Sequence, residues 1–213
     1  MIRSKDCPRG RSQGGFTLVE VIVVLSVVLL LTGIAVPMLS SYMEDGRRAR
    51  AESECKVLLA AISQLYKDVG TYPSRNGSGR NNYLYCLYSG PQVSSNPWTS
   101  NHAWSRWARN KARGDRLDNH LLVNDPQGGG GGAYASTGNM RWRGPYFAGS
   151  TPVDPWGRPY VVNILSTYRT DATNYRRTWV VSAGPNGRFD TDYRARPTDE
   201  LAGDDIGMLL YQR

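Results

Sequence analysis

Gly14-Gly15-Phe16-Thr17-Leu18-Val19-Glu20 opens an apolar run that reaches Leu39. As a helix rising about 1.5 Å per residue, Phe16 to Leu39 spans roughly 36 Å, enough to cross the hydrocarbon of a bilayer. Thr17, Ser26 and Thr32 interrupt it at little cost, because hydroxyls bond back to helix carbonyls. Gly33 and Pro37 are soft points in the run. Glu20 has no such cheap solution. A carboxylate in lipid is expensive enough to mark a function by default. The plain alternative is a helix-end glutamate reaching back to the interface.

Arg3, Lys5, Arg9 and Arg11 stand against Asp6 before the run, so the leader carries +3. No Lys or Arg occurs between Phe16 and Asp45. The positive-inside rule therefore keeps the leader in the cytoplasm and sends everything after Leu39 across. A secretory signal is cut after its apolar region. Here the small-residue pair precedes that region. A cut there leaves the hydrophobic segment as the new N-terminus.

These residues resemble the processing site of type IV prepilins and type II secretion pseudopilins. The resemblance implies cleavage between Gly15 and Phe16 by a membrane prepilin peptidase, and N-methylation of Phe16. It makes Glu20, fifth after the cut, the assembly carboxylate, and puts Pro37 at the family's helix bend. Electrostatics agrees. The freed α-amine of Phe16 and the Glu20 carboxylate would each be costly alone in low dielectric and much cheaper as a pair. An axially shifted neighbour can bring its amine to this carboxylate. A repeated heterologous contact that does not close gives a helical filament.

Beyond the membrane the helix continues. Ala51, Cys55, Leu58, Leu59, Ile62, Leu65, Tyr66 and Val69 recur at steps of three and four, one apolar stripe. Glu52, Glu54, Lys56, Ser63, Gln64 and Lys67 lie opposite. Gly46 weakens the helix midway; Gly70 and Pro73 end it. The expected fold class is α+β, a pilin-like lollipop. A long N-terminal helix, transmembrane over 16–39 and amphipathic over 40–69, packs on a small antiparallel β-sheet head over 70–213. Strand candidates are Tyr160–Leu165, Arg177–Ser182 and, more weakly, Met208–Tyr211. Asn76–Gly79 and Gly128–Gly132 read as flexible loops.

The head holds a second cluster. Gly144-Pro145-Tyr146 precedes Asp154-Pro155-Trp156-Gly157-Arg158-Pro159-Tyr160, then Ala183-Gly184-Pro185-Asn186-Gly187 and Gly203-Asp204-Asp205-Ile206. With Tyr72-Pro73, this order resembles the head of the major pseudopilin of type II secretion. The resemblance implies one structural calcium ion in the C-terminal acidic loop, 182–206. Its ligands would be the Ala183 carbonyl, Asn186, Asp204 and Asp205. Calcium takes six to eight oxygens in flexible geometry. Asn186 stands where the family has Asp, and the spacer Arg188–Ala202 is longer than usual. Asp190, Asp192, Asp199 and Glu200 lie in that spacer and can compensate. The alternative is a solvated acidic loop.

The segment 76–139 departs most from the family and reads as inserted loops. It carries Trp98, Trp104 and Trp107 among Arg106, Arg109, Lys111, Arg113 and Arg116. Aromatics interleaved with cations can stack bases or meet acidic partners. Without a recognised nucleic-acid motif, the simpler reading is a helix over Ala103–Ala112 anchored by tryptophans, and nucleic acid is not an expected partner. Net charge is +8, or +5 without the leader, and names no partner by itself. Cys7 leaves with the leader. Cys55 and Cys86 would then meet an oxidising compartment, either as a disulfide or, with Cys55 on the apolar stripe, as buried thiols. His102 and His120 lie in no zinc-protease pattern, and G-x-S-x-G, a phosphate loop and C-x-x-C are all absent. The chain is not expected to be an enzyme.

The expected function is therefore a structural subunit of a periplasmic pseudopilus that drives type II protein secretion. It would be a single-pass inner-membrane protein before assembly. Expected partners are copies of itself, minor pseudopilins, the inner-membrane assembly platform and the prepilin peptidase. Two other readings stand beside it: a type IV pilin of a surface filament for adhesion, motility or DNA uptake, and a membrane-anchored binding protein that never polymerises.

Overall fold

The computed structural model describes residues 15–90, 113–168, 177–192 and 200–212. The chain divides into two compact units, Met1–Glu44 and Asp45–Arg213. Helix α1, Leu18–Val69, contributes to both. In the first unit the described residues leave the apolar side chains of α1 uncovered. Each large apolar side chain described from Phe16 to Met43 is exposed, Phe16 by 89% and Leu29 by 71%. The helix is long and apolar enough here to cross a membrane.

In the second unit the stripe does what its spacing predicts. Ala51, Cys55, Leu58, Ala61, Ile62 and Leu65 are buried. Seven of the eight stripe positions are buried or pack partly against the core, while Tyr66 stays outside and stacks on Tyr72 at 4.3 Å. At Gly70 the backbone turns left-handed (φ +77°) and its N–H donates to the Tyr66 carbonyl at 2.8 Å. This is a glycine helix stop.

A five-stranded sheet completes the head. Its strands are β1 (Cys86–Tyr88), β2 (Gly114–Arg116), β3 (Val161–Val162), β4 (Arg177–Ser182) and β5 (Ile206–Gln212), in the order β2-β1-β3-β4-β5. Alternation gives it two faces. Leu87, Val162 and Val180 face the α1 cluster, with Leu84, Tyr134 and Ile164. Cys86, Val161, Trp179 and Val181 cluster with Ala183 and Phe189. Glu54 ties helix to sheet: it accepts from the Tyr160 hydroxyl at 2.6 Å and from Arg50 Nε at 2.8 Å.

Four expectations are corrected. The sheet is mixed, because β1 and β2 run parallel while the other pairs are antiparallel. A parallel pair cannot be joined by a tight hairpin. The described parts of segment 76–139 belong to the fold: they give β1, β2, helix α2 (Leu117–Leu121) and a 3-10 turn at Pro126–Gly128. The strand at Tyr160–Leu165 is only Val161–Val162, because Ile164–Thr167 turns into a 3-10 helix. Cys55 and Cys86 are both free and buried, one in each cluster on opposite faces of the sheet, so no disulfide joins them. The Trp98/Trp104/Trp107 helix lies outside the described residues.

Leu58 is fully buried on the helix stripe. Leu58→Ala should lower head stability by about 2–5 kcal/mol, read as a shifted urea midpoint of the full chain in detergent. The same change at exposed Val57 should cost far less.

Candidate functional site

The N-terminal motif is built by local chemistry. Gly15, Phe16 and Thr17 precede the helix, and Phe16 is open to its surroundings. The Gly15–Phe16 bond is therefore in non-helical, exposed chain, as a protease requires. Thr17 caps α1: its Oγ1 accepts from the Glu20 N–H at 3.3 Å. Glu20 Oε2 in turn accepts from the Thr17 N–H at 3.0 Å and from its hydroxyl at 2.9 Å. This reciprocal pair is a capping box. It satisfies donors that the helix start leaves open and holds the Glu20 carboxylate at the N-terminal pole, where the macrodipole favours negative charge. Spacing places Glu20; the cap that Thr17 forms with it went unread in the sequence, although T-x-x-E was its signal.

The second site is the C-terminal loop. In Asp154–Arg158 one buried carboxylate organises the turn. Asp154 Oδ1 accepts from the N–H groups of Trp156 (3.1 Å) and Arg158 (2.7 Å), and Oδ2 accepts from Ser182 Oγ at 2.6 Å. The turn is thereby fastened to the end of β4.

From there the chain enters Ala183–Gly187. The Ala183 carbonyl accepts from the Gly187 N–H at 3.2 Å. Asp204 Oδ2 accepts from the Asn186 N–H at 2.8 Å. The Asn186 amide donates to Asp190 Oδ2 at 2.9 Å, and its Oδ1 accepts from the Arg188 N–H at 2.6 Å. Asn186, Asp190 and Asp204 are thus brought together. Gly203 sits against the Asp190 carboxylate with φ +63°, where a Cβ would collide with it. Asp205 turns elsewhere: its Oδ2 accepts from the Thr191 N–H at 2.7 Å. Burial pushes the Asp205 carboxyl up to about 6, against the hydrogen bonds from Thr191 that lower it. Asp192 and Glu200 are exposed, and Asp199 lies outside the described residues.

Asp204 Oδ1 and Asp205 Oδ1 are both buried without a hydrogen-bond partner. Orphaned carboxylate oxygens are what a hard cation would satisfy, and the donor set of carbonyl, amide and carboxylates suits calcium in kind. Among the described residues, however, no group of three or more His, Cys, Asp or Glu is gathered tightly enough to define a metal centre.

Another buried polar cluster centres on His120 of α2. His120 is fully buried, with Nδ1 2.7 Å from the Tyr134 hydroxyl. Its Nε2 is 2.9 Å from Asp115 Oδ2, poorly aligned for a hydrogen bond. Asp115 also accepts from Arg116 N, Asn119 Nδ2 and Gln127 N. With His120 closed to solvent, the cluster serves to join β2, α2 and the Gln127 turn.

Asp205 carries a sign-defined pH effect. Its folded pKa lies above its ordinary value of 3.8, so its contribution to stability is full below about 4 and is lost as pH rises through about 6. In metal-free buffer the head should become less stable over that window. Asp205→Asn should flatten that part of the curve, followed by denaturant midpoints from pH 4 to 7.

Residues 10–36 match the family described as the prokaryotic N-terminal methylation motif. Residues 116–196 match the family described as type II secretion system protein G. Fimbrial protein EcpC of Eikenella corrodens is 30% identical over 66 residues, covering 31% of this chain and 43% of that protein. The chain thus spans less than half the length of that curated relative. No solved structure matches.

Proposed function

We propose, from the premise that this is a type IV pilin-like chain of the pseudopilin kind, that it is a structural subunit of a periplasmic pseudopilus that drives type II protein secretion. The observation that carries the reading is the pairing of two matches: the methylation motif over the membrane-length helix start and the protein G match over the head. Both describe subunits that assemble rather than catalyse. The subunit is held in the inner membrane by residues 16–39, with its leader cytoplasmic and its head periplasmic. Prepilin peptidase cuts between Gly15 and Phe16, the new amine is methylated, and Glu20 pairs with the amine of a neighbouring copy. Minor pseudopilins and the inner-membrane assembly platform are its other partners.

Calcium is the proposed structural ion of the C-terminal loop. Ala183, Asn186, Asp204 and Asp205 would hold it, with Asp190 adjoining Asn186. It supplies positive charge to a carboxylate-rich loop; the chain's own part is to orient those oxygens. Support comes from the two orphaned aspartate oxygens.

A second reading, a surface type IV pilin, is favoured by the likeness to a fimbrial protein. Locating the polymer, beneath or beyond the outer membrane, separates the two.

Two experiments test the reading. N-terminal sequencing of the mature product should begin at Phe16, and Glu20→Ala should reduce sheared or cross-linked polymer at least tenfold without loss of monomer. Mature protein beginning at Met1, or unchanged polymer, defeats it. Separately, calcium should raise the melting temperature of the full chain in detergent and Asp204→Ala should remove that rise; equal melting in calcium and chelator defeats the ion's role.

A further inference from the structure

The turn that leads into the C-terminal loop already holds a cation, and it belongs to the chain. Arg158 Nη2 donates to the carbonyl of Gly184 and, at 3.4 Å, to that of Pro185. Its Nε is buried and lies 3.8 Å from Asp154 Oδ2. The guanidinium also sits 5.9 Å from the Trp156 ring centroid. Gly187, at φ +73°, makes room for it: a Cβ there would overlap Nη1. A carboxylate, two carbonyls, an aromatic face and a glycine gap therefore converge on one planar cation. Charge-assisted bonds of this kind are about twice as strong as neutral ones.

This arrangement bears on the proposed calcium loop, and rests on that reading only for what calcium adds. Asn186 in the turn is neutral, and Arg158 brings one positive charge to it. We propose that Arg158 is the resident cation of the 183–187 turn and a positioning residue for the loop, so that the turn keeps its form without calcium and bound calcium adds to a turn already held.

The test uses the full chain in detergent as wild type, Arg158→Gln and Arg158→Lys, each in chelator and in millimolar calcium chloride. Cleavage by a broad-specificity protease is mapped by mass spectrometry, and far-UV circular dichroism verifies that each variant is folded. In chelator, wild type should resist cleavage within 183–192. Arg158→Gln should be cut there about 10- to 100-fold faster, since loss of a charged hydrogen-bond donor raises the open population by that order. Added calcium should slow cutting of Arg158→Gln far more than that of wild type. Arg158→Lys, which keeps the charge but lacks the fork, should fall between. Equal cutting of wild type and Arg158→Gln in chelator overturns the proposal. So does a wild-type loop that is cut freely in chelator and protected by calcium, a result that leaves the calcium reading standing. Faster cutting of Arg158→Gln with no calcium response in any variant upholds Arg158 and removes the ion.

Discussion

Apolar surface that the chain cannot cover with itself is the constraint from which the rest follows. From Phe16 to Met43 the large side chains described on α1 are all exposed. At about 25 cal/mol for each Å² removed from water, such a surface demands burial in lipid or against copies of itself. In either setting polar groups need partners within reach. The span provides them locally: Ser26 and Thr32 hydroxyls donate to the carbonyls four residues back, at 2.8 and 2.7 Å, and Thr17 with Glu20 closes the helix start. Only half of the Glu20 problem is solved this way, because a capping box binds a carboxylate's lone pairs and leaves its charge. That residual charge is what a neighbour's amine can meet.

The same helix is read in two ways along its length, and this was legible. Where apolar residues occupy every side, no protein core covers them. Where they retreat to one stripe, from Ala51 onward, Leu58, Ile62 and Leu65 vanish into the head. The stop at Gly70 was equally plain, since only the left-handed turn lets the chain leave the helix there. Tyr66 shows the limit of periodicity. It holds a stripe position, yet its ring stacks on Tyr72 beside the core and stays part-exposed.

What was not legible depends on short elements and tertiary pairing. Gly114-Asp115-Arg116 has the composition of a loop but forms β2, because Asp115 gathers Arg116 N, Asn119 Nδ2 and Gln127 N, beside His120. Three-residue strands carry no period to read. Likewise, the two glycine-bearing loops expected to be flexible support each other: Gly77 N donates to Gln127 Oε1 at 3.0 Å, and Gly132 sits on the Asn76 carbonyl. Cysteine spacing could not say which face of a sheet each thiol would take. Burial pushes the Cys55 thiol up to about 12, consistent with a packing role.

At the C-terminal loop, sequence and structure divide the work differently. The sequence named the oxygens; the structure shows which of them act together. Asn186, Asp190 and Asp204 form one connected set, while Asp205, next in the chain, turns to Thr191. The loop therefore has two electrostatic problems. Near 183–187 backbone carbonyls face the Arg158 guanidinium. At 204–205 two buried carboxylate oxygens face nothing. The proposed ion would therefore add most at Asp204 and Asp205, whose Oδ1 atoms have no hydrogen-bond partner among the described residues.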